Sequence, residues 1–188
     1  VLLNFGYQGV MSTIDALLTR RDVVVYDADC HACIIDGLRM HPGKRFAFDH
    51  NDEASFAKNI ERASKLAETN GGGILVITEG VFGMDGEQGI VKEIVAKKSE
   101  YDFRILIDDA HGFGYMGATG AGADEAQGCQ AGVDLYFSTF VKSMGSIGAF
   151  ISGPKNVLKY LRYNVRSQIF AKSLPLLIVD GMLKRMEM

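Results

Sequence analysis

The stretch ILVITEGVFGMDGEQGIVKEIVAKKSEYDFRILIDDAH, residues 74–111, decides the fold. It opens on a continuous apolar run, Ile74 to Thr78, and ends on a second, Phe103 to Ile107, with a helical pattern from Gly89 to Lys98 between them. Apolar runs without alternation read as strands buried on both faces, and strands separated by helices read as a parallel sheet covered above and below. The same alternation continues outward. Towards the amino end, Asp22 to Tyr26 and Lys44 to Phe48 predict strands, and His31 to Met40 carries Ile34, Ile35 and Leu38 at helical spacing. Ala54 to Thr69 predicts an amphipathic helix with Phe56, Ile60, Ala63 and Ala67 on one face, broken at Gly71 to Gly73. Towards the carboxyl end, Leu135 to Phe140 and Gly148 to Ser152 predict two more strands around a short connection. From Pro154 the pattern is helical, with Pro175 marking a break or a fresh start. The expected class is α/β: a mainly parallel sheet with helices on both faces, in three layers.

Bulk properties narrow the function classes. With 188 residues, 47% of them apolar, the chain can build one large domain with its own core. A net charge of −3 with both signs interspersed argues against a nucleic-acid or other polyanionic partner. No apolar run approaches the length of a membrane-spanning helix, and Val1 to Gly6 lacks the basic region of a signal peptide. Three cysteines are an odd number in a chain too large to need cross-links, which suits a reducing, cytoplasmic setting. The chain starts inside an apolar segment and stops inside a helical pattern, so an internal piece of a longer protein is expected.

In sheets of this class ligands sit beyond the carboxyl ends of the strands. The segments to inspect are therefore Asp27 to His31, Glu79 to Gly86, Asp108 to Gly114 and Ser138 to Ser146. Asp108, Asp109 and His111 follow directly on a buried strand, where an acid is costly unless it has a partner. Lys142 follows Tyr-Phe-Ser-Thr-Phe-Val, and a lysine in apolar surroundings favours the neutral amine that can form an imine. Phe5 to Gly9 reads as a glycine turn before a helix, whose backbone N–H groups can hold a phosphate. Other readings fall away. Acid-pair phosphate chemistry needs a G-x-x-x-x-G-K-[ST] loop, which is missing. Gly112-Phe-Gly114-Tyr-Met-Gly117 matches a dinucleotide fingerprint formally but opens onto another glycine-rich loop, not a helix. Cys30-His-Ala-Cys33 lacks the second pair that a zinc site wants, so no metal is expected.

Five segments, in order, resemble the α-oxoamine synthases of the fold-type-I pyridoxal-phosphate enzymes. They are Gly6-Tyr7, Asp29-x-His31-Ala32, Thr78-Glu79-Gly80-Val81-Phe82-x-Met84-Asp85-Gly86, Asp108-Asp109-Ala110-His111-Gly112-x-Gly114 and Thr139-Phe140-x-Lys142-Ser143-x-Gly145. The resemblance implies a three-layer large domain over residues 1–175, incomplete at its amino end, with 176–188 starting a helix towards a small domain. It implies pyridoxal 5'-phosphate as cofactor, carried by Lys142. Asp108 would pair with the ring nitrogen, His31 stack on the ring and His111 hydrogen-bond its phenolic oxygen. Thr139 and the backbone of Gly6 and Tyr7 would hold the phosphate. Asp109 would support its loop without touching the cofactor. One departure is Gly83, where the family has serine; its hydrogen bond would be absent or replaced by water.

The implied reaction is a decarboxylative condensation of an amino acid with an acyl-CoA. Ser138 to Phe150 and Tyr163 to Pro175 look most like bacterial serine palmitoyltransferases, implying L-serine, palmitoyl-CoA and sphingoid-base synthesis. Glycine C-acetyltransferase and 8-amino-7-oxononanoate synthase are the nearer alternatives. A non-catalytic partner subunit and an ordinary aminotransferase are the more distant ones. A homodimer with shared active sites is also implied.

Overall fold

The computed structural model describes residues 1–187. In chain order the elements are β1 (Leu2–Leu3), α1 (Gly6–Leu17), β2 (Val23–Asp27), α2 (Ala32–Met40), β3 (Lys44–Phe48), α3 (Glu53–Asn70), β4 (Ile74–Glu79), α4 (Val91–Ala96), β5 (Arg104–Asp108), α5 (Ala123–Ala126), β6 (Leu135–Thr139), β7 (Ala149–Ser152), α6 (Lys155–Asn164), α7 (Arg166–Phe170) and α8 (Leu176–Met186). One sheet takes all seven strands in the order β1-β7-β6-β5-β4-β2-β3. The five strands β3, β2, β4, β5 and β6 run parallel; β7 turns back against β6, and β1 pairs antiparallel with β7.

The pleat sorts the apolar runs into two cores. Val24, Leu75, Ile77 and Leu106 face one way and pack with Val10 and Ile14 of α1, Ile34 and Leu38 of α2, and Leu161 of α6. Val23, Val25, Val76, Ile105 and Ile107 face the other way, against Phe56, Ile60 and Ala63 of α3 and Val91 and Ile94 of α4. All six residues of β4 are buried, which is why its sequence is continuous rather than alternating. Each fully buried Phe or Ile contributes about 1.5–3 kcal/mol of transfer free energy. The expected three-layer α/β fold, mainly parallel, is the one observed. On α3, the Asp52 carboxylate accepts from the Ser55 N–H at 2.8 Å, and Gly71 ends the helix at φ 63°, a conformation that glycine adopts without strain.

Three details differ from the sequence reading. β1 escapes a pattern search because two residues carry no period; it is defined by its partner, with Leu2 opposite Phe150. The helix expected over Gly89–Lys98 shrinks to α4 and a single 3₁₀ turn at Lys97–Ser99. The segment expected as a turn before a helix is already helical, because α1 begins at Gly6. α8 begins immediately after Pro175, where the sequence marked a break or a fresh start of the helical pattern; Met188 lies outside the described residues. No helix among the described residues is long and apolar enough to cross a membrane.

Candidate active site

A cleft of about 590 Å³ opens at the carboxyl ends of the parallel strands. Gly6, Tyr7, His31, Asp108, His111, Thr139 and Lys142 all line it. The seven residues named from the sequence thus come together from the start of α1, the start of α2, the end of β5 with its loop, and the end of β6 with its loop.

Asp108 ends β5 and is buried among side chains that give it little. Its Oδ1 accepts from the Ala110 N–H at 3.1 Å, and the Cys33 thiol lies 3.8 Å from Oδ2. Burial pushes its pKa up to about 7, aided by the Asp109 charge and opposed by Ala110, Cys33 and the Lys142 charge. The strand register sets Glu79 directly beside it at the end of β4. Burial and then the Asp108 charge push Glu79 up to about 8. Glu79 Oε1 accepts the backbone N–H of His31 at 2.5 Å, fixing the start of α2 against β4. The sequence reading quoted Glu79 without a role. Its signal was available: it ends a buried strand just as Asp108 does.

His31 caps α2. Its Nδ1 accepts from the Cys33 N–H at 3.2 Å, so a neutral ring carries its proton on Nε2. The edge of Tyr7 meets the His31 ring at 6.0 Å. His111 stands on the loop after β5, and neither of its ring nitrogens hydrogen-bonds to a described residue. Burial lowers its pKa, and the charges of Lys142 and His31 lower it further. α1 receives no hydrogen bond from an N-cap side chain, and its first residues, Gly6 and Tyr7, line the cleft beside Thr139. A β-carbon on Gly6 would stand 3.5 Å from Thr139 Cβ. The Thr139 hydroxyl donates to Gly148 O at 2.8 Å, tying β6 to the start of β7.

Lys142 departs from its sequence reading. The preceding residues suggested apolar surroundings, yet both Val141 and Lys142 are exposed. Phe140 turns into a small cluster with Leu174 and Met182, and the chain then leaves the sheet in a turn closed by Gly145 N–H to Lys142 O at 3.2 Å. Lys142 therefore sits on the lip of the cleft, not beneath it. At Gly83, an added β-carbon would fall 2.3 Å from His111 Nε2, so the imidazole packs against this glycine.

Asp109 keeps off the cleft, as expected. Its Oδ2 accepts from the Ala123 N–H at 2.8 Å and the Tyr136 hydroxyl at 2.9 Å. His50 and Asp27 were missed. His50 Nδ1 lies 2.9 Å from Asp27 Oδ1, its ring meets Phe82 edge-on at 4.3 Å, and it lines the cleft. Burial opposes its charge, but Asp27, Asp29 and Glu87 outweigh this and raise its pKa. Cys30 and Cys33 are buried free thiols, pushed up first by burial. Among the described residues no group of three or more His, Cys, Asp or Glu side chains is placed to hold a metal ion.

The family described as aminotransferase class I and II matches residues 1–187. A cysteate-C-fatty acyltransferase from Capnocytophaga ochracea is 65% identical over 187 residues, covering 100% of this chain and 44% of the relative. A serine palmitoyltransferase from Sphingobacterium spiritivorum is 34% identical over 187 residues, covering 100% of this chain and 46% of the relative. A structure of serine palmitoyltransferase from S. paucimobilis with a bound PLP–myriocin aldimine superposes with a TM-score of 0.92 at 30% identity, covering 100% of this chain and 46% of that one. The chain thus spans a little under half the length of these relatives.

Proposed function

The chain belongs to the aminotransferase class I and II family, and we propose that it forms the cofactor-binding part of a pyridoxal-phosphate-dependent acyltransferase of the α-oxoamine synthase type. The reaction joins the α carbon of an amino acid to the acyl carbon of a fatty acyl-CoA, releasing carbon dioxide and coenzyme A and leaving a 2-amino ketone. The observation that carries this reading is the convergence of Lys142, Asp108, His31, His111, Thr139 and the uncapped start of α1 on one cleft.

The residues present fit the cofactor. Asp108 is a buried acid with one backbone donor and a distant thiol, which suits a cationic ring nitrogen as its missing partner. The free N–H groups at the start of α1 suit a phosphate. His31, with Nε2 as donor, faces the same cleft and suits a substrate carboxylate. His111 is held neutral by burial and by nearby positive charge, so it can give or take one hydrogen bond. Bound there, the cofactor would supply an electron-withdrawing ring that stabilises charge on the amino acid's α carbon. Lys142 Nζ would anchor the cofactor and, once freed by the incoming amine, take the α proton. Its place on an exposed turn suits a group that must be displaced and return.

For the amino acid, cysteate is the first reading, because the 65% identical relative is named for it. Serine, the substrate implied by the sequence resemblance, is the second, supported by the 34% identical relative. The wider setting follows the same reading: residues 1–175 as the large domain, 176–188 leading to a second one, and a cytoplasmic homodimer. Exposed Phe170, Leu176 and Leu177 support burial of this end against further protein.

The test uses the full-length protein. It should turn yellow with pyridoxal phosphate, and borohydride should fix the label on Lys142. With palmitoyl-CoA and a panel of cysteate, serine and glycine, coenzyme A release should be fastest with cysteate. A protein that stays colourless would match the non-catalytic subunit instead. Amino transfer to a keto acid with no acyl-CoA consumed would identify an aminotransferase.

A further inference from the structure

β2 lies between β3 and β4 in the sheet, so the ladder of backbone hydrogen bonds does not join β3 to β4. Beyond the strand ends the two are nevertheless tied, through side chains that cross over β2. Asp27 ends β2 and is fully buried. Its Oδ1 accepts the Asp29 N–H at 2.9 Å and lies 2.9 Å from His50 Nδ1, and its Oδ2 accepts the Asn51 N–H at 3.1 Å. A carboxylate only accepts, so His50 carries a proton on Nδ1 and donates it to Asp27. His50, in the loop after β3, is thereby held over the end of β2 and reaches the loop after β4.

Three contacts complete the crossing. The His50 ring meets Phe82 edge-on at 4.3 Å, and its Nε2 stands 3.4 Å from Glu87 Oε2. Asn51 Nδ2 donates to Gln88 O at 3.1 Å. Asn51 holds a left-handed φ of 52°, a conformation that costs a non-glycine residue and persists where its surroundings fix it. Phe82 is buried, and the loop turns tightly on it: its N–H donates to Glu87 O at 2.8 Å and its O accepts the Gly86 N–H at 2.9 Å. Whatever holds Phe82 therefore holds Gly83, Met84 and Asp85, which line the cleft. The titratable groups facing His50 are Asp27 and Asp29 after β2, Glu79 at the end of β4 and Glu87 in the loop beyond it. Burial lowers the pKa of His50, but Asp27, Asp29 and Glu87 outweigh this and raise it above the ordinary 6.5.

We propose that His50 is a positioning residue: seated on Asp27, it holds the loop after β4 across β2 and so sets the wall of the cleft formed by Phe82, Gly83 and Met84. The placement of the loop stands on geometry alone; its effect on turnover rests on the function proposed above. Asp27 keeps the proton on Nδ1, so Nε2 is the atom that titrates. Protonated, Nε2 donates to Glu87. This pairing is complete below the ordinary pKa of 6.5 and is lost as pH rises through the raised value of the folded protein. Neutral, Nε2 accepts from Asn51 Nδ2, 3.3 Å away, and of the ring's own hold on the loop the edge-on contact with Phe82 remains.

The experiment compares wild type, H50N and E87Q in the full-length protein. Asparagine can offer its side-chain amide to Asp27 in place of Nδ1 but falls short of Phe82 and Glu87. NMR of the cofactor-free protein is the first reading. In wild type the amide shifts of Gly83, Met84 and Asp85 should titrate with the same midpoint as the His50 imidazole. In E87Q both midpoints should fall together, since one of the charges that raise His50 is gone. In H50N the titration should vanish from the loop, and the Phe82 and Gly86 amides should exchange about tenfold faster while those of β5 keep their wild-type rates. Turnover with amino acid and acyl-CoA is the second reading. H50N should lower it about tenfold near about pH 6, and by a smaller factor near about pH 9, where wild type has lost the Nε2 proton as well. Loop amides that ignore the His50 titration in wild type and E87Q overturn the proposal. So does an H50N protein in which exchange rises equally throughout the sheet, since His50 would then be an ordinary part of the fold. If H50N does not fold, the E87Q midpoints decide: moving together they support the proposal, moving apart they overturn it. A protein that shows the expected loop titration yet binds no pyridoxal phosphate refutes the proposed function and leaves the placement of the loop by His50 standing.

Discussion

Asp108 and Asp109 are adjacent in sequence, lie on opposite faces of the sheet, and are both buried, yet their surroundings have little in common. On Asp109's side, Oδ2 takes the Ala123 N–H and the Tyr136 hydroxyl, and three glycines make room for the carboxylate: β-carbons on Gly80, Gly112 and Gly122 would come within 2.0, 2.2 and 2.2 Å of its oxygens. On Asp108's side there is one backbone donor, a thiol at 3.8 Å, a second acid in register, and an open cleft. Burial raises the pKa of both acids. Burial alone therefore does not mark a functional acid. What marks Asp108 is its place on the open cleft with one backbone donor and a distant thiol, whereas Asp109 is walled in by glycines, its Oδ2 holding the β5 loop to α5 and β6 and its Oδ1 buried without a partner among the described residues.

The contrast can be broken at four points. The largest effect is expected on the cleft side. K142A should lower turnover about 10³–10⁴-fold while the cofactor-free protein melts as wild type does, since an exposed turn residue contributes little to the core. Loss of folding in K142A would show that the turn is structural.

Exchanging the two acids' fates comes next. D108N should lower turnover on the order of 10²-fold and leave urea stability equal or higher, because a costly buried acid is relieved. D109A should do the reverse in kind. It strands the Ala123 N–H and the Tyr136 hydroxyl and should cost about 2–4 kcal/mol of stability by urea denaturation. If both variants moved stability alone, the distinction drawn between the two faces would fail.

A smaller effect tests the glycine enclosure. G80A brings a methyl group to 2.0 Å from Asp109 Oδ1 and should cost about 1–3 kcal/mol. In a D109A background the same change should cost much less, because the methyl then enters vacated space.

The smallest effect is a pH dependence of the cofactor-free protein. Asp108, at about 7, and Glu79, at about 8, both bind a proton more tightly folded than unfolded. Their protonation favours the folded state at low pH, and this contribution is lost as pH rises from about 4 through about 8. Melting temperature should therefore fall by a few degrees across that window. D108N should flatten the lower part and E79Q the upper part. A melting curve indifferent to pH in wild type would show that neither acid is strained.

The sheet was legible because each central strand is short, apolar and bounded by glycine or polar residues; β3 matches its reading residue for residue, and β2, β4 and β5 match within one. β1 was not legible, because a two-residue strand exists only through its pairing with β7. Part of the site was legible because ligands of parallel sheets gather where strands end, so Asp108 and Lys142 could be singled out from position and type; Thr139, like Gly6 and Tyr7, took its role from the family resemblance. Glu79 and His50 were harder, since each shows its place only beside another strand's residue: Asp108 for one, Asp27 for the other.

By itself, then, the sequence determined the class of fold, the end of the sheet that holds the cleft, and the residues that meet there. The first two follow from local period and residue type, which each strand carries without reference to its neighbours, and the third from the motifs through which the sequence resembles its family. Only the tertiary structure decided how buried each group is and what it touches. It placed Lys142 in the open, set Glu79 against Asp108, enclosed Asp109 in glycines, and gave the space beside Gly83 to His111. These are relations between segments far apart in the chain. Contact and solvent exclusion arise only when the strands lie side by side.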